Sequence, residues 1–362
     1  MKSSNTSKKV YVGMSGGVDS SVSALLLQQA GYQVTGVFIR VWQPEGGECT
    51  WKDERRDAMR VAAHLGIPFV TLDLRDAYKK GVVDYMIREY TAGNIPNPDV
   101  MCNREVKFGA FFDWAKKQGA DYIATGHYAQ THDGELFEGA DGNKDQSYFL
   151  WTLERDELKH VLFPIGHLQK PEVRLLGEKA DIPVFDKKDS QGVCFIGHID
   201  MKEFLKEYIE TKEGNVLDVA GNVIGTHQGA LLYTHGERHA FSLFSQSNEQ
   251  KRLFVISKDI VNNTITVGEQ KDADDLNNKK ENLVLKNVVL RVSKEELKNL
   301  IADKKVSCRT RYRQEKIEVE DIDMDLTGGL TLTLTLYPAT SPGQSVVLYA
   351  GHTCIGGGVL SK

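Results

Sequence analysis

Gly13-Met14-Ser15-Gly16-Gly17-Val18-Asp19-Ser20-Ser21 follows a short apolar run, Lys9–Met14, and leads directly into the helical pattern Asp19–Ala30. Strand, glycine turn and helix succeed one another within a few residues. Glycines let the backbone turn tightly, so that successive amides converge on an anion, and the helix N-terminus adds its partial positive charge. Ser15, Ser20 and Ser21 offer hydroxyl donors for phosphate oxygens. The string is neither GxxxxGK[ST] nor GxGxxG, which disfavours a Walker-type hydrolase and a dinucleotide fold. A glycine pair alone would suit a βα turn with no ligand; the whole string argues for a phosphate loop.

The pattern repeats outward from this loop. Val34–Val41 reads as a second strand, and Asp53–Leu65 as a helix ended by Gly66. Phe69–Leu72 is a third strand, Glu105–Gln118 a helix ended by Gly119, and Tyr122–Ala124 a fourth strand. Such alternation implies right-handed βαβ crossovers and a parallel sheet covered by helices on both faces, with ligands at the carboxyl ends of its strands. After a helix around Met201–Ile209 the texture changes to a Gly-, His- and Asn-rich stretch, and Lys271–Glu281 reads as a linker. Leu330, Leu332, Leu334 and Leu336 then alternate with threonines, the period of a half-buried strand. The expected fold is α/β: a doubly wound parallel-sheet domain over 1–210, a small β-rich domain over 211–280, and a C-terminal β-barrel or sandwich over 281–362.

Composition narrows the function classes. Of 362 residues, 41% are hydrophobic and 26% charged, close to the globular average, so wholesale disorder is excluded. No window reaches the roughly 18 apolar residues of a membrane span. The polar start MKSSNTSKK is not a signal peptide, so the chain is read as cytoplasmic, with Lys2, Lys8 and Lys9 in a solvated tail. Its five cysteines include no CxxC pair, which gives no support to a disulfide scaffold, a zinc ribbon or another metal site. A net charge of −5 argues against a protein that coats nucleic acid, while leaving room for local basic patches.

Two cysteine segments carry possible chemistry. In Asn97-Pro98-Asp99-Val100-Met101-Cys102-Asn103-Arg104, the thiol is expected just before a helix N-terminus and beside an arginine, two reasons for a lowered pKa. Asp99 is close enough in sequence to serve as acid or base. In Lys187-Lys188-Asp189-Ser190-Gln191-Gly192-Val193-Cys194-Phe195-Ile196-Gly197, two lysines would favour an anionic sulfur. A buried cysteine beside Phe195 and Ile196 fits the same string, and the residues alone do not decide between the two.

SGGVDSS resembles the PP-loop of the ATP pyrophosphatase superfamily, whose adenine nucleotide alpha hydrolase-like domain binds ATP through its pyrophosphate. With GMSGGVDSS, NPDVMCN, ATGHY, NKDQSYFL, DSQGVCFIG, RYRQ and SPGQS in this order, the chain is similar to the bacterial tRNA-specific 2-thiouridylases from residue 13 to about 358. The resemblance implies ATP-dependent adenylation of the C2 oxygen of a wobble uridine, then sulfur transfer. It implies ATP binding by Gly13, Met14, Ser15, Gly16, Gly17, Val18, Asp19 and Ser20, with Ile39 and Gly126 lining the adenosine pocket. Cys194 would carry a persulfide delivered by a sulfur-relay protein or cysteine desulfurase. Cys102 would resolve it, leaving a Cys102–Cys194 disulfide, and Asp99 would act as acid or base. Asn97, Pro98 and Asp99 would contact the tRNA, as would Lys144, Asp145, Gln146, Arg311 and Tyr312. His127 and Gln344 match positions important for activity. Mg²⁺ is expected as countercharge for the phosphates, and the protein is expected to be a monomer with no membrane partner.

Arg309, Arg311 and Arg313 alternate with Thr310 and Tyr312, so a strand here would put three guanidiniums on one face. Such a face suits an RNA backbone or a charged edge strand that resists aggregation. Two other readings stand beside thiolation. An amidating PP-loop enzyme would leave both cysteine motifs idle and lacks a glutaminase domain. A catalytically silent RNA-binding protein would have no use for Asp19, Asp99, Cys102 and Cys194 together.

Overall fold

The computed structural model describes residues 7–44, 51–189, 201–244, 252–269, 271–272, 282–336 and 340–361. Its first layer is a five-stranded parallel sheet in the order β3-β2-β1-β4-β7, built from β1 (Lys9–Gly13), β2 (Gln33–Arg40), β3 (Phe69–Asp73), β4 (Tyr122–Ala124) and β7 (Val161–Leu162). Helix α1 (Val18–Gln29) is buried along most of its length. Its interior serines stay satisfied because Ser21 Oγ donates to Gly17 O (2.8 Å) and Ser23 Oγ to Asp19 O (2.8 Å). Helix α2 (Trp51–Leu65) buries only Ala58, Val61 and Ala62, a narrow stripe for a surface helix. The anticipated alternation is what forms.

A second sheet, β10-β9-β8-β12-β11, makes the central unit from β8 (Gly214–Leu217), β9 (Val223–His227), β10 (Phe241–Leu243), β11 (Phe254–Asp259) and β12 (Thr264–Gly268). The third is a closed six-stranded barrel. It runs β13 (Asn282–Leu290), β16 (Leu330–Leu334), β15 (Ile317–Met324), β14 (Val306–Arg309), β17 (Ser345–Ala350) and β18 (Thr353–Leu360), and β13 pairs back onto β18. Leu330, Leu332 and Leu334 fill its interior with Leu283, Leu285 and Leu348. The expected alternation stops there: Leu336 lies beyond β16 and is exposed.

The domains interlock more than a linear division suggests. A hairpin of β5 (Ala129–His132) and β6 (Glu135–Glu138), which leaves the first domain after β4, adds to the barrel through β6 and β18. Arg291, buried at the end of β13, donates to the carbonyls of Trp151 (2.9 Å), Leu153 (2.6 Å) and Cys354 (2.7 Å). Two sequence expectations fail in this region of detail. Lys9 opens β1 and Lys8 bridges to Asp121 (3.0 Å), so neither belongs to a tail. The strand through Arg309 ends at that residue, and Arg311–Arg313 form a turn. Gln314 causes the break: its Oε1 accepts from the amides of Thr310 (2.9 Å) and Arg311 (3.1 Å), which a sheet neighbour would otherwise bond.

Candidate nucleotide and cysteine site

The phosphate loop joins β1 to α1 at the carboxyl edge of the parallel sheet. Gly16 has φ +76°, a left-handed position, and Gly17 caps α1 in extended backbone. Ser15 N donates to Ser20 Oγ (3.2 Å), and Ser20 Oγ donates to Gly17 O (3.2 Å), which pre-shapes the turn. The side chains of Met14 and Val18 are buried in the core, so only their backbones face the loop. Ser21 is buried and spends its hydroxyl inside α1, unlike the phosphate donor expected from the sequence. Gly126 follows β4 and passes so close to α1 that a Cβ there would lie 2.7 Å from Ser20 N. Ile39 sits near the end of β2, so Gly13, Ile39 and Gly126 gather where the strand order turns from β1 to β4, the usual crevice for a ligand.

Cations surround this loop. Lys170, only 8% exposed, donates to both oxygens of Asp19 (2.7 and 2.8 Å) and bridges to Asp189 (2.8 Å). Asp189 also holds Lys144 (2.6 Å) and Arg174 (2.8 Å), while Tyr128 donates its hydroxyl to Asp19 (2.8 Å). Lys187 Nζ donates to Gly16 O (3.1 Å) and Asp57 (2.8 Å). Burial alone would raise the carboxyl of Asp189, but hydrogen bonds from Lys144 and Lys170 hold it down at about 2. Lys170 and Arg174 were missed in the sequence because 151 positions separate Lys170 from Asp19 and no motif links them. Lys187, read from the sequence as favouring a sulfur anion at Cys194, is bonded to the phosphate loop and Asp57, and Cys194 lies outside the described residues.

The Cys102 segment is helical earlier than expected. Asn97 caps a helix starting at Pro98, accepting from Val100 N (3.3 Å), and the helical run continues to residue 117 through a π-helical stretch, Cys102–Ala110. Pro98 at the first helical position explains the early start, since its fixed φ suits the helix and no amide is lost. Cys102 therefore lies one turn inside and is 0% exposed, not at a helix N-terminus, and the dipole reason for a lowered pKa does not hold. Asn103 Nδ2 donates to Phe149 O (3.1 Å). Asp99 is half-buried in the first turn. Cys194, with residues 190–200, and Cys49 lie outside the described residues. Cys308 and Cys354 are buried barrel residues: burial pushes Cys308 up to about 12 and also raises Cys354, so neither is a thiolate nucleophile at neutral pH.

His127 follows Gly126 and is buried against the rings of Phe108 and Phe163. Burial, then the Lys107 charge 3.5 Å from Nε2, lowers its pKa well below the ordinary value, so the ring is neutral. With Nε2 facing an ammonium, the network assigns the proton to Nδ1, which donates to Thr125 Oγ1 (2.6 Å). Gln344 reaches across domains: its Nε2 donates to Ile95 O (2.6 Å), and Ile95 N donates to Pro342 O (2.7 Å). The barrel thus grips the chain two residues before Asn97.

The residues matched to tRNA contact differ in what they present. Arg311 is exposed in its turn, and Tyr312 packs on Phe149 (ring centroids 4.6 Å apart). Gln146 Oε1 accepts from Tyr128 N (2.9 Å), and Lys144 is engaged with Asp189. Asp145 is 5% exposed, with its carboxylate bonded to Ser147 and Arg309, so that side chain is spent inside the protein. Arg309 is likewise committed, to Asp145 (2.9 Å) and Glu138 (3.0 Å), and leaves the expected basic face. Among the described residues, no group of three or more His, Cys, Asp or Glu side chains could hold a metal ion, and no helix is long and apolar enough to cross a membrane.

Comparison with known proteins bears on the family of the chain. Residues 8–198 match the tRNA methyl transferase HUP domain, 202–269 its PRC-barrel domain, and 280–360 the aminomethyltransferase beta-barrel domain. The tRNA-specific 2-thiouridylase MnmA of Lacticaseibacillus paracasei is 41% identical over 98% of this chain and 95% of its own length. That of Streptococcus mutans is 40% identical over 99% and 96%. Among solved structures, the U34-tRNA thiolase NcsA from Methanococcus maripaludis aligns at 17% identity with a TM-score of 0.36, over 56% of this chain and 64% of its own. The family models carry a methyl-transfer label, but the near-full-length relatives are named for thiolation. On that full-length similarity, the chain belongs to the tRNA-specific 2-thiouridylase family.

Proposed function

We propose that this protein is an ATP-dependent tRNA-uridine 2-sulfurtransferase of the cytoplasm, and that the cation-rimmed phosphate loop is where its reaction begins. That loop is the observation that carries the reading: the amides around Gly16 and the hydroxyls of Ser15 and Ser20 share one turn with Lys170 and Lys187, and Asp189 links Lys170 to Lys144 and Arg174. Asp19, Asp57 and Asp189 hold Lys170 and Lys187. The phosphates of ATP would exchange with these carboxylates, and Mg²⁺ would arrive with the nucleotide, supplying countercharge. Ile39 and Gly126 would border the adenosine.

The target uridine would lie at Asn97–Asp99. Its C2 oxygen attacks the α-phosphorus of ATP, pyrophosphate leaves, and the oxygen becomes part of AMP, a far better leaving group. The terminal sulfur of a Cys194 persulfide then attacks C2 and AMP departs. Cys102 attacks the inner sulfur of Cys194, breaking the S–S bond of the persulfide; the electron pair stays on the transferred sulfur, giving 2-thiouridine and a Cys102–Cys194 disulfide. A thiol reductant resets the pair, and a sulfur-relay protein or cysteine desulfurase reloads Cys194. Burial of Cys102 supports a resolving role, since a thiol used once per turnover is better shielded from oxidants between turnovers, and the segment around it must open for that step. Asp99, half-buried one turn away, is suited to move the proton at the uridine.

Peptide mapping after turnover, without reducing agent, tests the two-cysteine route. A Cys102–Cys194 cross-link is expected, with Cys194 persulfide accumulating in Cys102→Ser. Thiolated tRNA formed with neither species would refute that route.

A further inference from the structure

The central β unit meets the other two domains beside residues 93–97. A Cβ on Gly93 would lie 2.0 Å from Ile260 Cδ1, so the exit of β11 packs directly on that loop. Residues 235–237 are tied to the same strand, because Gly236 N donates to Val255 O (2.8 Å) and Val255 N to Glu237 O (2.9 Å). Within β11, two positions before Ile260, Lys258 turns its ammonium inward. Its Nζ is sealed from solvent and has no hydrogen-bond partner. Burial lowers Lys258 to about 8, and no carboxylate among the described residues opposes that. His235 is lowered first by burial, then by Lys258 and by Arg311 of the barrel. Arg311 also acts on Tyr148, which bonds Asn97 and Ser345, so the cluster adjoins the segment that precedes Cys102.

Two cationic side chains, Lys258 and Arg311, therefore flank a histidine that they and burial keep neutral, and among the described residues no carboxylate acts on Lys258 or His235. Burying an ammonium with neither counter-ion nor hydrogen bond is unfavourable, and such a group is satisfied when an anion reaches it. Phosphodiesters are the anions an RNA-binding surface meets.

We propose that Lys258, His235 and Arg311 form a phosphate site that receives one phosphodiester of the bound RNA, at the junction of the central unit, the barrel and the 93–97 loop. The site rests on the tRNA reading above and adds a contact outside the segments matched to the family. Because Nζ is sealed from solvent, seating a phosphate there must displace the side chains that cover it, which couples the contact to full docking.

The test is the binding of labelled tRNA to the whole protein over a salt series. Lys258→Met should weaken binding several-fold and lower the salt slope by about 0.9 for a duplex phosphate or 0.7 for a single-stranded one. Lys258→Arg should keep the slope. The melting temperature of K258M should equal or exceed that of the wild type, since an uncompensated charge has been removed; should K258M fold poorly, Lys258→Gln carries the same comparison. If the wild type binds tRNA and the charge-removing variant matches it in affinity and slope, the phosphate site is wrong. If the wild type itself does not bind tRNA, the functional reading fails and this site with it.

Discussion

Lys170 shows how much of this site rests on single side chains. A lysine this buried is stable only because Asp19 and Asp189 flank it at 2.7–2.8 Å, and those carboxylates stand where phosphate oxygens would be welcome. Removing one hydrogen bond between charged groups costs about 1.5–3 kcal/mol, so Lys170→Met should raise the Kd for ATP by roughly tenfold or more. Isothermal titration with ATP measures this directly. His127 gives a pH prediction of definite sign. Its ring is neutral in the fold, whereas in the unfolded chain it takes a proton below about 6.5. The unfolded state therefore binds more protons there, and stability falls as pH drops below that value. Denaturant melts of His127→Gln should show a shallower loss of stability between about pH 6.5 and 5 than the wild type.

At the scale of elements, the turn Ser341-Pro342-Gly343-Gln344 is the contact most tied to function. Gly343 has φ +92°, and a Cβ there would lie 2.9 Å from Ile95 N. Gly343→Ala should therefore cost about 1–2 kcal/mol in backbone strain and push the 94–97 segment off register. The expected result is slower tRNA thiolation with an unchanged Kd for ATP, read by paired turnover and titration measurements. The sequence carried the parallel-sheet elements and the phosphate loop because apolar runs, glycine stops and the SGGVDSS string are all local signals. Local signals also misled. Arg309, Arg311 and Arg313 have the spacing of a strand face, but the Gln314 side chain takes the amides a strand would need and Arg309 turns to Glu138 and Asp145. Glu105 looked like a helix start, although Asn97 and Pro98 supply a cap and a first residue seven positions earlier. The Lys170–Asp19 pair and the Gln344–Ile95 bond were illegible because their partners are 151 and 249 positions away.

The whole molecule ties its chemistry to domain assembly. One hairpin from the first domain enters the barrel sheet, and the buried Arg291 guanidinium satisfies carbonyls from both sides of that junction. Arg291→Met would strand these acceptors; at about 1–3 kcal/mol for each unsatisfied buried group, a loss of about 3 kcal/mol or more in denaturant unfolding is expected. Docked in this way, the barrel holds residue 95 while the sheet holds the phosphate loop, and the proposed reaction needs both. Mass spectrometry of nucleosides from tRNA incubated with the protein, ATP and a sulfide source tests that union most directly. The expected product is 2-thiouridine at the wobble position, with one AMP formed for each sulfur inserted and none of either product without ATP. A modified nucleoside carrying nitrogen or a methyl group in place of sulfur, or thiolation that proceeds without AMP formation, would contradict it.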